Sequence, residues 1–268
     1  MSPVWRDGRL EPGDAAPGEF PSGARLFETL ALRGGRVERL GDHLARLRLG
    51  LGRAGLVPGP LASGDLAAWR RAVAALGARD VLLRLVAGPG FEELGARALL
   101  PSPAEFRLRT LLTRRDEPEW HPRPKSAPWA NSLEATRELR ALGEGPGAEG
   151  VQLDARGFVS EGTRSSLAWI EAGTLCVPAA STGRLPGTAL AQLAECSGLP
   201  VEPVESPPPT RPDAVLVLRS TLPGGGAPVS AWADTSGAVH WRPDGLAVAL
   251  AALRRLAEFR AQEAVSLA

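Results

Sequence analysis
Among the 31 lysine and arginine residues of this chain a single one is lysine, Lys125. Arginine has taken every other cationic position, so the exception asks what an amine does that a guanidinium cannot. A desolvated amine can lose its proton and attack a carbonyl to form an imine, whereas a guanidinium stays protonated. Lys125 is therefore the candidate Schiff-base nucleophile, set against the plainer reading of a chance survivor on a loop. Two other segments could receive a phosphate monoester. In RLPGTALAQL a glycine lets the chain approach closely, and the helix after it would point unpaired N–H groups of Thr188 and Ala189 outward. In STLPGGG the hydroxyls of Ser220 and Thr221 follow a strand directly. Each is weak alone, because Pro-Gly often precedes a helix and Ser-Thr before glycines is usually a turn. Glu161, in VSEGTRSSL, is a carboxylate at a strand end that could keep a pyridine-type ring nitrogen protonated; an exposed strand-end glutamate is the commoner fate.

The composition bounds what these residues can serve. A chain of 268 residues, 44% hydrophobic and 23% charged, suits a globular protein of one large or two smaller domains. A formal net charge of +1 gives no general hold on nucleic acid or an anionic membrane, so the expected partner is a small-molecule substrate. No apolar run is long enough to span a bilayer and the N-terminal segment has no apolar signal region, which reads as cytoplasmic. Cys176 and Cys196 lack metal-ligand spacing with His43, His121 or His240, so no metal is expected and the cysteines read as small hydrophobes.

The elements that must position the candidates alternate helix and strand. A strand at about 25–33 ends at Gly34-Gly35, and a helix runs from an Asp42 N-cap to about residue 54. A second helix spans about Asp65 to Gly77, and β-rich runs cover about 80–87 and 105–114. The proline- and tryptophan-rich EPEWHPRPKSAPW breaks periodicity and reads as a linker. Beyond it come a helix at about 131–142, hairpins in VQLDARGFVSE and LAWIEAGTLCVP, a helix from Gly187-Thr188 to Gly198, strands at about 201–205 and 214–219, a hairpin around Asp234–Gly237 and a helix from about 246. The pattern implies an α+β fold of mostly antiparallel strands: a smaller N-terminal domain over 1–118, a linker over 119–127 carrying the lysine, and a larger domain over 128–268, with the active site between the domains.

Six blocks in this order resemble the fold-type IV pyridoxal-phosphate enzymes, the class IV aminotransferase family that includes branched-chain aminotransferases, D-amino-acid aminotransferases and 4-amino-4-deoxychorismate lyases. GARLFETL is similar to the family's GDGVFETL strand, and RVERLGDHLARLR to its H-x-x-R-L helix. PKSAPWANSLEATREL falls at its lysine segment, and LDARGFVSEGTRSSL resembles its LDxxGxVxEGxxSNL. RLPGTALAQL and LVLRSTLPGGGAPVSAWAD resemble its LPGxxR helix start and its TSS-turn-PV strand. The resemblance implies a two-domain α+β fold, a homodimer and pyridoxal 5'-phosphate as cofactor. Lys125 becomes the Schiff-base lysine and proton shuttle, and Glu161 the partner of the pyridine nitrogen. Arg46 becomes a phosphate ligand, joined by Thr188, Ala189, Ser220 and Thr221, while His43 in the same motif reads as structural. The chain also departs from the family. Pro128 and Trp129 stand where Asn and Tyr or Arg are usual, and no tyrosine exists to meet the cofactor phenolate. Ser166 and Ala189 replace the usual Asn and Thr, and RLVAGPGF keeps Ala87 and Phe91 in the segment resembling the substrate loop.

Short length and the F-E-T triplet ending in Thr29 resemble the lyase side of the family, where that threonine is implicated in proton handling. The implied reaction converts 4-amino-4-deoxychorismate to 4-aminobenzoate and pyruvate. A class IV aminotransferase acting on branched-chain or D-amino acids is the alternative, and a non-catalytic cofactor-binding member a third. Lys125→Arg is expected to keep the fold but to lose the borohydride-reducible imine and turnover with added pyridoxal phosphate. Normal turnover in that variant would show that the lone lysine is incidental.

Overall fold
The computed structural model describes residues 4–6, 8–11, 25–116, 122–127 and 130–267. Pro128, Trp129, His121 and residues 117–120 of the expected linker lie outside the described residues. The chain divides into two compact units, one of Met1–Pro101, Pro124–Pro128 and Arg260–Ala268, the other of Ser102–Arg123 and Trp129–Phe259.

The first unit opens with β1 (Val4–Arg6), β2 (Arg9–Glu11), β3 (Arg25–Arg33), β4 (Arg36–Glu38), α1 (Leu40–Arg53), α2 (Pro60–Ser63), α3 (Leu66–Ala75), β5 (Val81–Gly88) and β6 (Phe91–Ala98). The chain enters the second unit at β7 (Phe106–Thr110) and returns to the first for β8 (Ser126–Ala127). It then builds the second unit from α4 (Ala130–Ala141), β9 (Ala148–Leu153), β10 (Val159–Gly162), β11 (Ser166–Glu171), β12 (Thr174–Pro178), α5 (Thr188–Cys196), β13 (Val201–Val204), β14 (Ala214–Leu218), β15 (Gly226–Ala233), β16 (Val239–Trp241) and α6 (Ala247–Ala261). A last strand, β17 (Ala264–Ser266), comes back to the first unit. Among the described residues no helix is long and apolar enough to cross a membrane.

The first sheet runs β17-β4-β3-β5-β6-β1-β2, with β8 added to β3. Successive strand residues face opposite sides. Leu26, Leu30 and Leu32 of β3 accordingly join one core with Leu40, Leu44, Leu47 and Leu51 of α1. The helix lies close to the strand: a Cβ on Gly50 would sit 3.0 Å from Leu26 Cδ1. The second sheet runs β10-β9-β7-β15-β14-β11-β12-β13, with β16 on β15. Its two faces fill separate cores, one around Trp169 and Trp232 and the other around α5 and α6.

Several details differ from the sequence reading. The residue preceding α1 is Arg39, in a left-handed conformation with φ 52°, and not Asp42. Asp42 lies within the first turn and accepts from Arg39 Nε at 3.0 Å, so it links the turn to its entry and does not cap it. Asp65 does cap α3, accepting from the N–H groups of Ala67 and Ala68. Strand β6 carries little β propensity in FEELGARA, but Pro89-Gly90 turns β5 back on itself, with Gly90 at φ 75° as a type II turn requires. The second sheet includes parallel pairs, β7 with β9 and with β15, and β12 with β13. Those β7 pairings put Phe106–Thr110 in the second unit, so the chain first leaves the first unit after Pro101 and returns to it at Pro124.

Candidate active site
Strand β3 presents two chemistries on its two faces. On the core face Glu28, with no exposed surface, receives His43 Nδ1 at 2.8 Å and both Nε and Nη2 of Arg46 at 2.7 Å. The H-x-x-R spacing puts both donors on the same side of α1, one turn apart, so both reach one carboxylate. Burial alone would raise the Glu28 carboxyl; Arg46 and His43 outweigh it and hold it at about 2. Burial and the neighbouring Arg46 and Arg260 push the His43 imidazole below its ordinary value despite Glu28. His43 thus spends its Nδ1 on Glu28 inside the core.

The opposite face carries Phe27 and Thr29. Lys125 O accepts the Phe27 N–H at 2.9 Å, which seats the lysine segment on β3, and β8 continues the pairing as Leu26 with Ser126 and Arg25 with Ala127. Lys125 Nζ lies 4.8 Å from the centre of the Phe27 ring, and Arg84 Cζ lies 4.1 Å from it. Arg84 is directly opposite Thr29 in the β3–β5 register, so amine, hydroxyl and guanidinium share one face. Burial lowers the Arg84 guanidinium, Arg97 lowers it further and Glu93 opposes them. Sequence reading missed Arg84; the available signal was a basic residue on a strand beside the expected substrate loop.

In the second unit the two segments read as candidate phosphate sites meet through Ser166. Gly187 precedes α5 without a side-chain cap, and a Cβ there would lie 2.1 Å from Ser166 Oγ. A side chain at 187 would force the Ser166 hydroxyl out of its present position. Ser166 in turn pairs with Leu218, two residues before Ser220, so the start of α5 and the end of β14 flank the same strand residue. Thr188 and Ala189, both buried, supply first-turn amides at a helix end whose partial positive charge suits an anion. A phosphate monoester fits this cradle, which offers backbone donors without side-chain bulk.

Glu161 stands beside that cradle. Its Oε2 accepts the Leu185 N–H at 3.1 Å and its Oε1 pairs with Arg115 Nη2 at 2.8 Å. Arg115 was not foreseen. It donates through Nη1 to Asn131 Oδ1 at 2.8 Å, and Asn131 also accepts from Gln152 Nε2 at 2.9 Å. A second buried carboxylate, Glu149, accepts from Thr163 Oγ1, the Arg164 N–H and Arg219 Nη2 at 2.9 to 3.0 Å, binding the segment after Glu161 to the residue before Ser220.

The first unit thus holds Lys125, Thr29 and Arg46, the second Glu161, Thr188, Ala189, Ser220 and Thr221. The architecture is that of the fold-type IV pyridoxal-phosphate enzymes. The family model for amino-transferase class IV matches residues 25–221, and the chain belongs to that family. Its cofactor is pyridoxal 5'-phosphate. A T.th. branched-chain amino acid aminotransferase with pyridoxamine 5'-phosphate is 18% identical at a TM-score of 0.79, covering 100% of this chain and 99% of its own. The branched-chain aminotransferase of Thermoproteus uzoniensis with norvaline is 23% identical at a TM-score of 0.79, covering 99% of each chain. A 4-amino-4-deoxychorismate lyase from Pseudomonas aeruginosa is 26% identical at a TM-score of 0.72, covering 95% of this chain and 97% of its own. No curated protein matches the chain.

Two outcomes are expected. Gly187→Ala should weaken pyridoxal phosphate by about tenfold or more, roughly 1.4 kcal/mol, while leaving phosphate-free pyridoxal unaffected. Equal losses for the two ligands in a binding titration would remove the cradle assignment. Because the folded Glu28 value of about 2 lies below the ordinary 4.5, its contribution is present above pH 4.5 and lost as pH falls through about 2. Denaturant unfolding between those limits should lose about 3 kcal/mol more in the wild type than in Glu28→Gln. Parallel pH curves would contradict it.

Proposed function
We propose that the protein is a lyase that converts 4-amino-4-deoxychorismate to 4-aminobenzoate and pyruvate, the implied role being folate precursor synthesis. The observation that carries this reading is the common face of Thr29 and Lys125 on and beside β3, which offers an amine and a hydroxyl for successive proton movements. The 26% identity to the Pseudomonas aeruginosa lyase over nearly the whole chain supports it. The second reading, a class IV aminotransferase, is favoured by the higher TM-scores of the branched-chain enzymes. A cytoplasmic homodimer belongs to either reading.

Pyridoxal phosphate, when bound, supplies an aldehyde that condenses with amines and a ring that accepts electrons. Lys125 Nζ is the anchoring nitrogen and the base that takes the proton from the substrate's amine-bearing carbon. Thr29 Oγ1 passes a proton, directly or through water, to the departing enolpyruvyl group, which leaves as pyruvate when its C–O bond to the ring breaks and the ring becomes aromatic. Glu161 is the acceptor for the cofactor's ring nitrogen. The amides of Thr188 and Ala189 and the hydroxyls of Ser220 and Thr221 bind phosphate. Arg46, which also gives Nε and Nη2 to Glu28, joins them at the phosphate.

Thr29→Ala should slow pyruvate release by about 10²-fold, at the lower end of general acid–base effects, with little change in cofactor affinity. Aminodeoxychorismate turnover and an amino-donor panel decide the matter. Rapid transamination of ordinary amino acids with no 4-aminobenzoate, and an unimpaired Thr29→Ala variant, would overturn the lyase in favour of the aminotransferase.

A further inference from the structure
Asn131 is the only asparagine in the chain, as Lys125 is the only lysine. Its amide is used on both sides. Oδ1 accepts from Arg115 Nη1 at 2.8 Å and from Gln152 Nε2 at 2.9 Å, and Nδ2 donates to Arg114 O at 2.7 Å. An aspartate would lose the donation to Arg114 O and would compete for the Arg115 charge. Arg115 is pinned further by Ser132 Oγ at 3.3 Å and by Gly183 O, which accepts its Nε at 3.4 Å. Arg115, Ser132, Gln152 and Glu161 are all buried. The remaining Arg115 nitrogen, Nη2, goes to Glu161 Oε1, while the Leu185 N–H holds Oε2. Both oxygens of the carboxylate therefore have a fixed donor, and its plane cannot turn without breaking one of them.

We propose that Arg115, oriented by Asn131, is a positioning residue that fixes the Glu161 carboxylate and sets the proton affinity of whatever ring nitrogen Glu161 faces. The proposal rests on the assignment of Glu161 to the cofactor ring. Hydrogen bonds hold the carboxylate in one orientation, and the adjacent guanidinium disfavours an additional positive charge on the ring. The other charges facing this pair are Asp116, 3.8 Å from Arg115 Nη1, together with Arg123 and Arg184, whose guanidinium groups interact with the Glu161 charge. Arg123 donates to Gly183 O at 2.7 Å, the carbonyl that also receives Arg115, and stands two residues before Lys125 in the chain.

The test is the pH titration of the ring nitrogen of pyridoxal phosphate labelled there with nitrogen-15 and bound to the purified protein, followed by its NMR shift, alongside thermal melting without cofactor. Arg115→Gln removes the positive charge, so the midpoint should rise by about one pH unit, the low end for a close charge. Asn131→Ala should shift it the same way by less, and Arg115→Lys should restore the wild-type midpoint. If Arg115→Gln does not fold, Asn131→Ala carries the test. Lower melting temperatures with an unchanged midpoint in the Arg115 and Asn131 variants would make the network merely structural and overturn the proposal. Glu161→Gln separates the two claims. A shifted midpoint in Glu161→Gln but not in the others removes Arg115 alone, whereas an unshifted Glu161→Gln removes the ring assignment and the proposal with it.

Discussion
A carboxylate taken out of water must be neutralised and hydrogen-bonded, and in this chain the cation available to do so is almost always arginine. Three buried glutamates meet the requirement in the same manner: Glu28 with Arg46, Glu149 with Arg219, and Glu161 with Arg115. The planar fork of a guanidinium suits this task, because its several N–H groups can bind a carboxylate and further acceptors at once. Each pair joins segments far apart in sequence. Glu28 fastens α1 to β3; Glu149 joins β9 to the segment after β10 and to the end of β14; Glu161 joins β10 to the segment after β7 at Arg115 and to the loop before α5. Glu92, also buried, accepts from the N–H groups of Leu61 and Ala62 at the start of α2.

This constraint also separates structure from chemistry on β3. The F-E-T triplet alternates faces, so the buried Glu28 carries the packing against α1 while Phe27 and Thr29 look the other way, toward the lysine amine. A lysine in place of Arg46 could not make the two-nitrogen contact with Glu28, and an arginine in place of Lys125 could not act as an amine. One exchange fails on geometry and the other on proton chemistry. The same division recurs around α5, where Gly187 is required by the proximity of Ser166 and the following amides remain for an anion.

Most elements were legible because their signals are local. Strand β3 and the turn at Gly34-Gly35, the Asp65 cap of α3, the hairpin at Gly173 and the start of α5 follow from alternation, capping and glycine conformations that each depend on a few neighbouring residues. Strand β6 was not legible, because FEELGARA pairs only once Pro89-Gly90 has brought it against β5. Strand β7 was hard to place for a related reason: it looks like a continuation of the preceding strands until β9 and β15 supply its partners. Arg115 carries no local mark at all in a chain with so many arginines.

Six ordered blocks carried the resemblance to the family, composition singled out the amine at Lys125, and short-range periodicity was enough for the alternating pattern of β3 and the positions of most helices. Packing was needed to select the partners: that Arg46 and His43 both grip Glu28, that Ser166 brings the α5 and β14 segments together, and that Asn131 and Arg115 stand behind Glu161. A charged hydrogen bond depends on which side chains come within about 3 Å of one another after the chain has packed, and spacing along the sequence does not encode that distance.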